Sequence, residues 1–351
     1  MTWKNRLCRA ALIASLIPSF TLAQSHKGGG GDLKVYLVDV EGGQATLFVT
    51  PAGKSLLVDT GWPGNDSRDA DRIVDAAKAA GIAKIDYVLL THYHVDHTGG
   101  VPQLLAKIPV GAFIDHGPNR EEDAGTQRAY TAYEKSIAAQ KLTRITAKPG
   151  DVLPIVGMKA TVISSDGELI DKPLARGGQE NPYCKESEVR PPDTTENSRS
   201  VGIEIVFGKL TLIDLGDLTW DKEMQLMCPI NKIGSVDVLI VSHHGMFMSS
   251  SPAYVKAIGA RVALMDNGAK KGGSAPALKT IASAPGLETL WQLHISPEGG
   301  TEWNTADDYI ANLDGPDTGH SLELTGHGDG SFDILNTRTQ TTRHYAARLP
   351  R

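Results

Sequence analysis

The chain has 351 residues, of which 40% are apolar and 22% charged. These are ordinary proportions for a soluble globular protein, and the length suits one large layered domain or two smaller ones. A net charge of −6 with 35 basic residues argues against a general electrostatic nucleic-acid binder, while leaving room for a local basic groove.

Residues 1–23 read as a signal peptide. Lys4, Arg6 and Arg9 make a positive start, residues 10–17 are apolar, and Thr21-Leu22-Ala23 ends in small residues suited to cleavage. The apolar run is far short of the roughly 18 residues that a spanning helix needs. Cys8 precedes that run, so it does not sit where a lipid-attachment cysteine would. Residues 24–32, with Gly28-Gly29-Gly30-Gly31, read as a flexible linker. The mature protein is expected to start near Gln24, secreted or periplasmic and without a membrane anchor. Cys184 and Cys228 then remain, and in an oxidising compartment they favour a disulfide over two buried thiols.

From Leu33 the pattern is strand-like. Residues 33–38, 45–49 and 55–58, separated by Glu41-Gly42-Gly43 and Pro51-Ala52-Gly53, predict a β-meander closed by Asp59-Thr60-Gly61. Residues 66–80 predict a helix with Ile73, Val74 and Ala77 on one face and Gly81 as its stop. Residues 85–90 read as a buried strand that ends where a group of histidines begins. A short helix at Pro102, a strand over 110–114, a helix over 126–140 and strands near 143–145 and 160–163 follow. Residues 164–199 are rich in Gly, Pro, Asp, Glu and Asn and have no period; such a long connection is usually functional or disordered. Order returns with a hairpin over 200–215, a helix over 219–227 and a strand over 236–241 ending at His243-His244-Gly245. A strand over 261–265, a helix over 275–284 and a hairpin through Gly330 complete the chain.

The segment His92-Tyr93-His94-Val95-Asp96-His97 holds four ligand-type side chains in six positions. Neutral imidazoles with a hard carboxylate suit zinc, and also manganese or iron. His92 and His94 alternate toward one site, while Asp96 and His97, turned by the start of the next helix, reach another. A polar surface loop with incidental histidines is the poorer account.

That segment resembles the His-x-His-x-Asp-His signature of the metallo-β-lactamase superfamily. Leu57-Val58-Asp59-Thr60-Gly61, Leu215-Gly216-Asp217 and Ile240-Val241-Ser242-His243-His244-Gly245 resemble its other motifs, in the expected order. The resemblance implies an α/β protein, an αββα sandwich of two mixed β-sheets flanked by helices. It would be a single domain over 33–345 with a C-terminal extension from about residue 260. It also implies two divalent metal ions, zinc first, with Mn2+ or Fe2+ as alternatives. His92 and His94 would hold metal 1, and Asp96, His97 and His243 metal 2. Asp217 would bridge them and Asp59 would support the loop from behind. A hydroxide held between the ions would attack the substrate, with Asp96 orienting it and His244 positioning substrate or donating a proton.

One departure matters. The superfamily's third metal-1 histidine should precede Asp217, yet no histidine occurs between His116 and His243. Asn197-Ser198-Arg199-Ser200 stands there, so Asn197 and the strand-end His116 are candidates to complete the site or to lie behind it. His294 reads as a satisfied core histidine ahead of one that enters the site from the C-terminal region, and Lys270-Lys271-Gly272-Gly273 as an exposed charged turn ahead of a binder of anionic substrate. Residues 38–45, 196–201 and the His-His-Gly motif further resemble the β-lactamase-like domain of ComEC-type DNA-uptake proteins. That branch implies a phosphodiester in nucleic acid or a nucleotide as substrate. The alternatives are a β-lactam or lactone hydrolase, and a non-catalytic exported binding protein with a vestigial metal site.

Overall fold

A computed structural model describes residues 31–348; the expected signal peptide and nearly all of the expected linker lie outside the described residues. Among the described residues, nine strands form a first sheet. Edge to edge they are Thr341–Tyr345, Phe332–Asn336, Leu322–Gly326, Leu33–Leu37, Thr46–Val49, Ser55–Val58, Ile85–Leu89, Val110–Asp115 and Thr143–Thr146. Eight form a second: Ile310–Asn312, Thr289–His294, Val262–Met265, Val238–Ile240, Leu210–Asp214, Gly202–Phe207, Lys159–Ser165 and Glu168–Leu169.

Period-two alternation explains the layering. In Thr46–Val49, Phe48 faces a core shared by the two sheets and Leu47 faces helices on the outer side. Leu56 and Val58 likewise point inward to that shared core while Leu57 points outward. Ile203, Ile205, Leu212 and Val238 answer them from the second sheet. Helices Arg68–Ala79, Val101–Leu105 and Ala124–Gln140 cover the outer face of the first sheet through Ile73, Ala77, Leu104, Tyr133 and Ile137. Helices Trp220–Met227, Pro252–Ala257 and Ala275–Ala282 cover the second through Leu226, Tyr254 and Ile281. Each such side chain contributes about 1.5–3 kcal/mol by leaving water. The result is the mixed α/β, helix–sheet–sheet–helix arrangement expected from the sequence.

The differences lie late in the chain and in the long loop. Thr289–His294 and Ile310–Asn312 extend the second sheet in parallel, and Leu322–Gly326 pairs antiparallel with Leu33–Leu37 to extend the first. The last hundred residues thus add strands to both sheets. Residues 164–199 are ordered by anchors rather than by a periodic core. Asn181 accepts from Tyr183 N and donates to the carbonyls of Met227 and Ala253. The expected Cys184–Cys228 disulfide is formed next to it. No helix among the described residues is long and apolar enough to cross a membrane.

Candidate metal centre

Parallel strands of both sheets end at one edge, the crevice where open α/β sheets collect ligands. Asp59 follows Ser55–Val58, His92 follows Ile85–Leu89, Asp217 follows Leu210–Asp214, and His243-His244 follow Val238–Ile240. Gly216 sits at φ +54, and a Cβ there would lie 2.8 Å from Thr91 Cβ. Glycine therefore lets the turn carrying Asp217 pack directly on the turn carrying His92. Gln44 ties the sheets further by donating Nε2 to Asp214 Oδ2 at 2.7 Å.

Asp96, His97, Asp217 and His244 are all buried and bring one ligand atom each within 4.8 Å of the others. His97 Nε2 lies 3.1 Å from Asp96 Oδ2, 3.3 Å from Asp217 Oδ2 and 3.2 Å from His244 Nε2. His244 Nε2 lies 3.3 Å from Asp96 Oδ2 and 3.4 Å from Asp217 Oδ1. A second set borders the same Asp217 carboxylate: His243 Nε2 is 3.4 Å and His92 Nε2 3.8 Å from Asp217 Oδ2. Asn197 Nδ2 is 3.5 Å from His243 Nε2.

The hydrogen bonds behind the rings decide which nitrogen is presented. Thr91 spends its hydroxyl proton on Asp59 Oδ2 at 2.6 Å, so it accepts from His92 Nδ1 at 3.0 Å. His97 Nδ1 donates to Asp59 Oδ2 at 2.7 Å. Ser249 donates to Leu218 O and so accepts from His243 Nδ1 at 3.2 Å. His244 Nδ1 faces the acceptor-only carboxylate of Asp266 at 3.3 Å. Hydrogen bonds therefore place an Nδ1 proton on His92, His97 and His243, and all four rings turn Nε2 to the centre. His92 Nε2, Asp217 Oδ1 and Asn197 Oδ1 are buried with no hydrogen-bond partner. Buried polar atoms are normally satisfied, so a ring of unsatisfied acceptors fits a cation.

Charge follows the same logic. Burial alone would raise Asp96 and Asp217, yet His97, with Lys271 beside Asp96 and His243 beside Asp217, holds both well below the usual carboxylate range. Burial and Lys271 work against a charged His244, but Asp217 and Asp266 prevail and raise it to about 9. Burial pushes His243 down to about 4. The group around His244 draws positive charge, and His243 stays a neutral donor.

The structure changes several expectations about individual residues. His244, not His243, faces Asp96 and His97, while His243 stands with His92 and Asn197. The reason is local: His243 and His244 both adopt left-handed backbone, φ 56 and 52, so their rings diverge at an interplanar angle of 76°. His94 Nε2 donates to Glu121 Oε2 at 2.9 Å, which leaves Nδ1 as its lone-pair nitrogen. His116 donates to Glu196 Oε2 at 2.8 Å and packs on Tyr93, standing with that carboxylate rather than with the ligand set. Glu196 also accepts from Tyr93 N and Arg120 N, stitching the long loop to the histidine loop. His294 pairs with Asp39 at 2.8 Å, as a satisfied core histidine should.

Lys271 is no exposed turn residue: its ammonium contacts Asp96 Oδ2 and lies 5.3 Å above the Trp62 ring. Glu121 and Asp266 were missed as site residues. Only Asp266 carried a usable signal, an acid following an apolar strand, as Asp59 does.

Similar solved structures include a Cronobacter sakazakii metallo-beta-lactamase with a HARLDQ motif, at 18% identity and TM-score 0.33, covering 52% of this chain and 60% of that one. The fold protein YhfI from Bacillus subtilis matches at 16% identity and TM-score 0.44, over 74% of this chain and 95% of that one. The diiron β-hydroxylase CmlA from Streptomyces venezuelae matches at 14% and 0.38, over 68% and 45%. The chain thus spans less than two thirds of the length of the Cronobacter protein. Residues 38–173 match the family model of the metallo-beta-lactamase superfamily.

Proposed function

We propose that the protein is an exported metal-dependent hydrolase of phosphodiesters, acting on nucleic acid or a nucleotide. The observation that carries the metal reading is the ring of histidines turned Nε2-first toward Asp217, with His92 Nε2 and Asp217 Oδ1 buried and unpartnered. Asp96, His97, His244 and Asp217 would hold one divalent ion. His92, His94 through Nδ1, His243 and Asp217 would hold the second, with Asn197, whose amide reaches His243, in the place of a third histidine. The mixed nitrogen and carboxylate set suits zinc, and manganese or iron as alternatives. Such ions supply Lewis acidity and lower the pKa of water toward neutrality.

The chain's own groups do the positioning. Asp59, Asp266, Ser249 and Thr91 orient four imidazoles with Nε2 toward the centre; His97 and His244, drawn to the charged form by the carboxylates around them, would release their Nε2 protons as a cation is bound. Glu121 and Glu196 fix His94 and the backbone of Tyr93. The phosphodiester choice is supported by the ComEC-like sequence pattern, and export by the signal-like N-terminus together with the disulfide. The test is turnover of bis-p-nitrophenyl phosphate against nitrocefin before and after chelation. Metal-restored cleavage of the diester is expected. Cleavage of nitrocefin alone would move the substrate to lactams, and no turnover of any ester at full metal occupancy would leave a binding protein.

A further inference from the structure

We propose that Lys271 is the residue that selects an anionic substrate, by receiving a negatively charged phosphoryl oxygen at the rim of the metal centre. The proposal rests on the phosphodiesterase reading and names a specificity residue for it. The loop that carries Lys271 is built to hold it there. Gly268 N donates to Lys271 O at 2.8 Å and Gly273 N to His244 O at 2.8 Å. Gly272, at φ +85, passes so close that a Cβ would lie 2.2 Å from His244 O. On the other side, a Cβ on Gly42 would lie 2.9 Å from Lys271 Cβ. Two glycine-dependent approaches therefore fix the lysine backbone between the His244 turn and the Glu41-Gly42-Gly43 turn.

Its ammonium touches Asp96 Oδ2, the oxygen that also faces His97 Nε2 and His244 Nε2. Were those groups to hold a divalent cation, that oxygen would be engaged by it and the Lys271 ammonium would have to leave it. Lysine's four-carbon stem lets the charge move while its backbone stays fixed. Trp62, 5.3 Å below the ammonium, offers a ring face that tolerates a cation. The side chain is 30% exposed, so it opens to the rim instead of being sealed inside. With its carboxylate claimed by metal, a fixed cation at the entrance lacks an anion. A phosphodiester brings one at the scissile centre, whereas a neutral ester, lactone or lactam ring does not.

The test compares zinc-loaded wild type with Lys271→Met, which keeps length and removes charge, and Lys271→Arg, which keeps charge. Inorganic phosphate is titrated into each by calorimetry, zinc content is measured by mass spectrometry, and KM for bis-p-nitrophenyl phosphate is determined where there is turnover. Lys271→Met is expected to bind phosphate about tenfold more weakly and to raise KM about tenfold, with zinc content kept and Lys271→Arg close to wild type. Equal phosphate affinity in wild type and Lys271→Met overturns the proposal, as does a loss that merely tracks lost zinc. If phosphate binding depends on Lys271 but no diester is cleaved, the hydrolase reading fails and the anion site stands.

Discussion

Each histidine of the centre is set by a partner behind it, and those partners are where single substitutions should be most informative. Asp266 faces His244 Nδ1 alone among the ligand-type rings, so Asp266→Asn removes an orienting charge without touching a proposed ligand. Partners of this kind typically govern metal affinity by about 10–100-fold. We expect competitive chelator titration of Asp266→Asn to show one ion bound that much more weakly and the other unchanged; equal affinity for both would remove Asp266 from the site. Gly216 makes the complementary point about space. Gly216→Ala places a Cβ against Thr91 in a left-handed backbone, which should cost about 1–3 kcal/mol in urea unfolding. A variant as stable as wild type would mean that the two turns are not in tight contact.

At the scale of elements, the long loop and the C-terminal hairpin carry separate predictions. The Cys184–Cys228 bond closes a sequence separation of 44 in a segment with little periodic core. Replacing both cysteines by serine should cost about 2–4 kcal/mol in equilibrium unfolding. No loss would show that Asn181 and its neighbours hold the loop unaided. His327, in the turn between Leu322–Gly326 and Phe332–Asn336, lies between Asp333 and Asp32, each at 2.9 Å. Those hydrogen bonds, Asp333 first, raise its pKa above the ordinary value. A raised folded-state pKa stabilises fully below the unfolded value near 6.5 and is lost as pH rises through the folded value. Wild type should therefore lose thermal stability between pH 6 and pH 8.5 relative to His327→Gln; parallel melting curves at both pH values would contradict this.

The same scale shows what a reader of the sequence can and cannot see. The first sheet was legible because Leu47, Phe48, Leu56, Leu57 and Val58 alternate between two apolar layers and glycine turns separate the strands. The 92–97 segment was legible because its ligand types are crowded into one turn. The partition between His243 and His244 was not, because it depends on two consecutive left-handed residues that composition does not announce. Lys271 was not, because its contact with Asp96 spans 175 residues and rests on loops without periodicity. Strand Thr289–His294 was not, since a short buried run has no period to distinguish it.

For the molecule as a whole, the centre depends on two sheets meeting at one edge, with each contributing ligands to both proposed ions. The first sheet supplies His92, His94, Asp96 and His97, and the second supplies Asp217, His243 and His244. Metal removal should accordingly weaken the joint between the sheets as well as abolish turnover, because binding to the folded state alone stabilises it. The most direct measurement is the metal stoichiometry of dialysed wild type, His243→Ala and His244→Ala by plasma mass spectrometry. A dinuclear centre shared in this way predicts two ions per chain in wild type and about one in each variant. The same content in all three proteins, or none retained by wild type after loading with zinc, would contradict it.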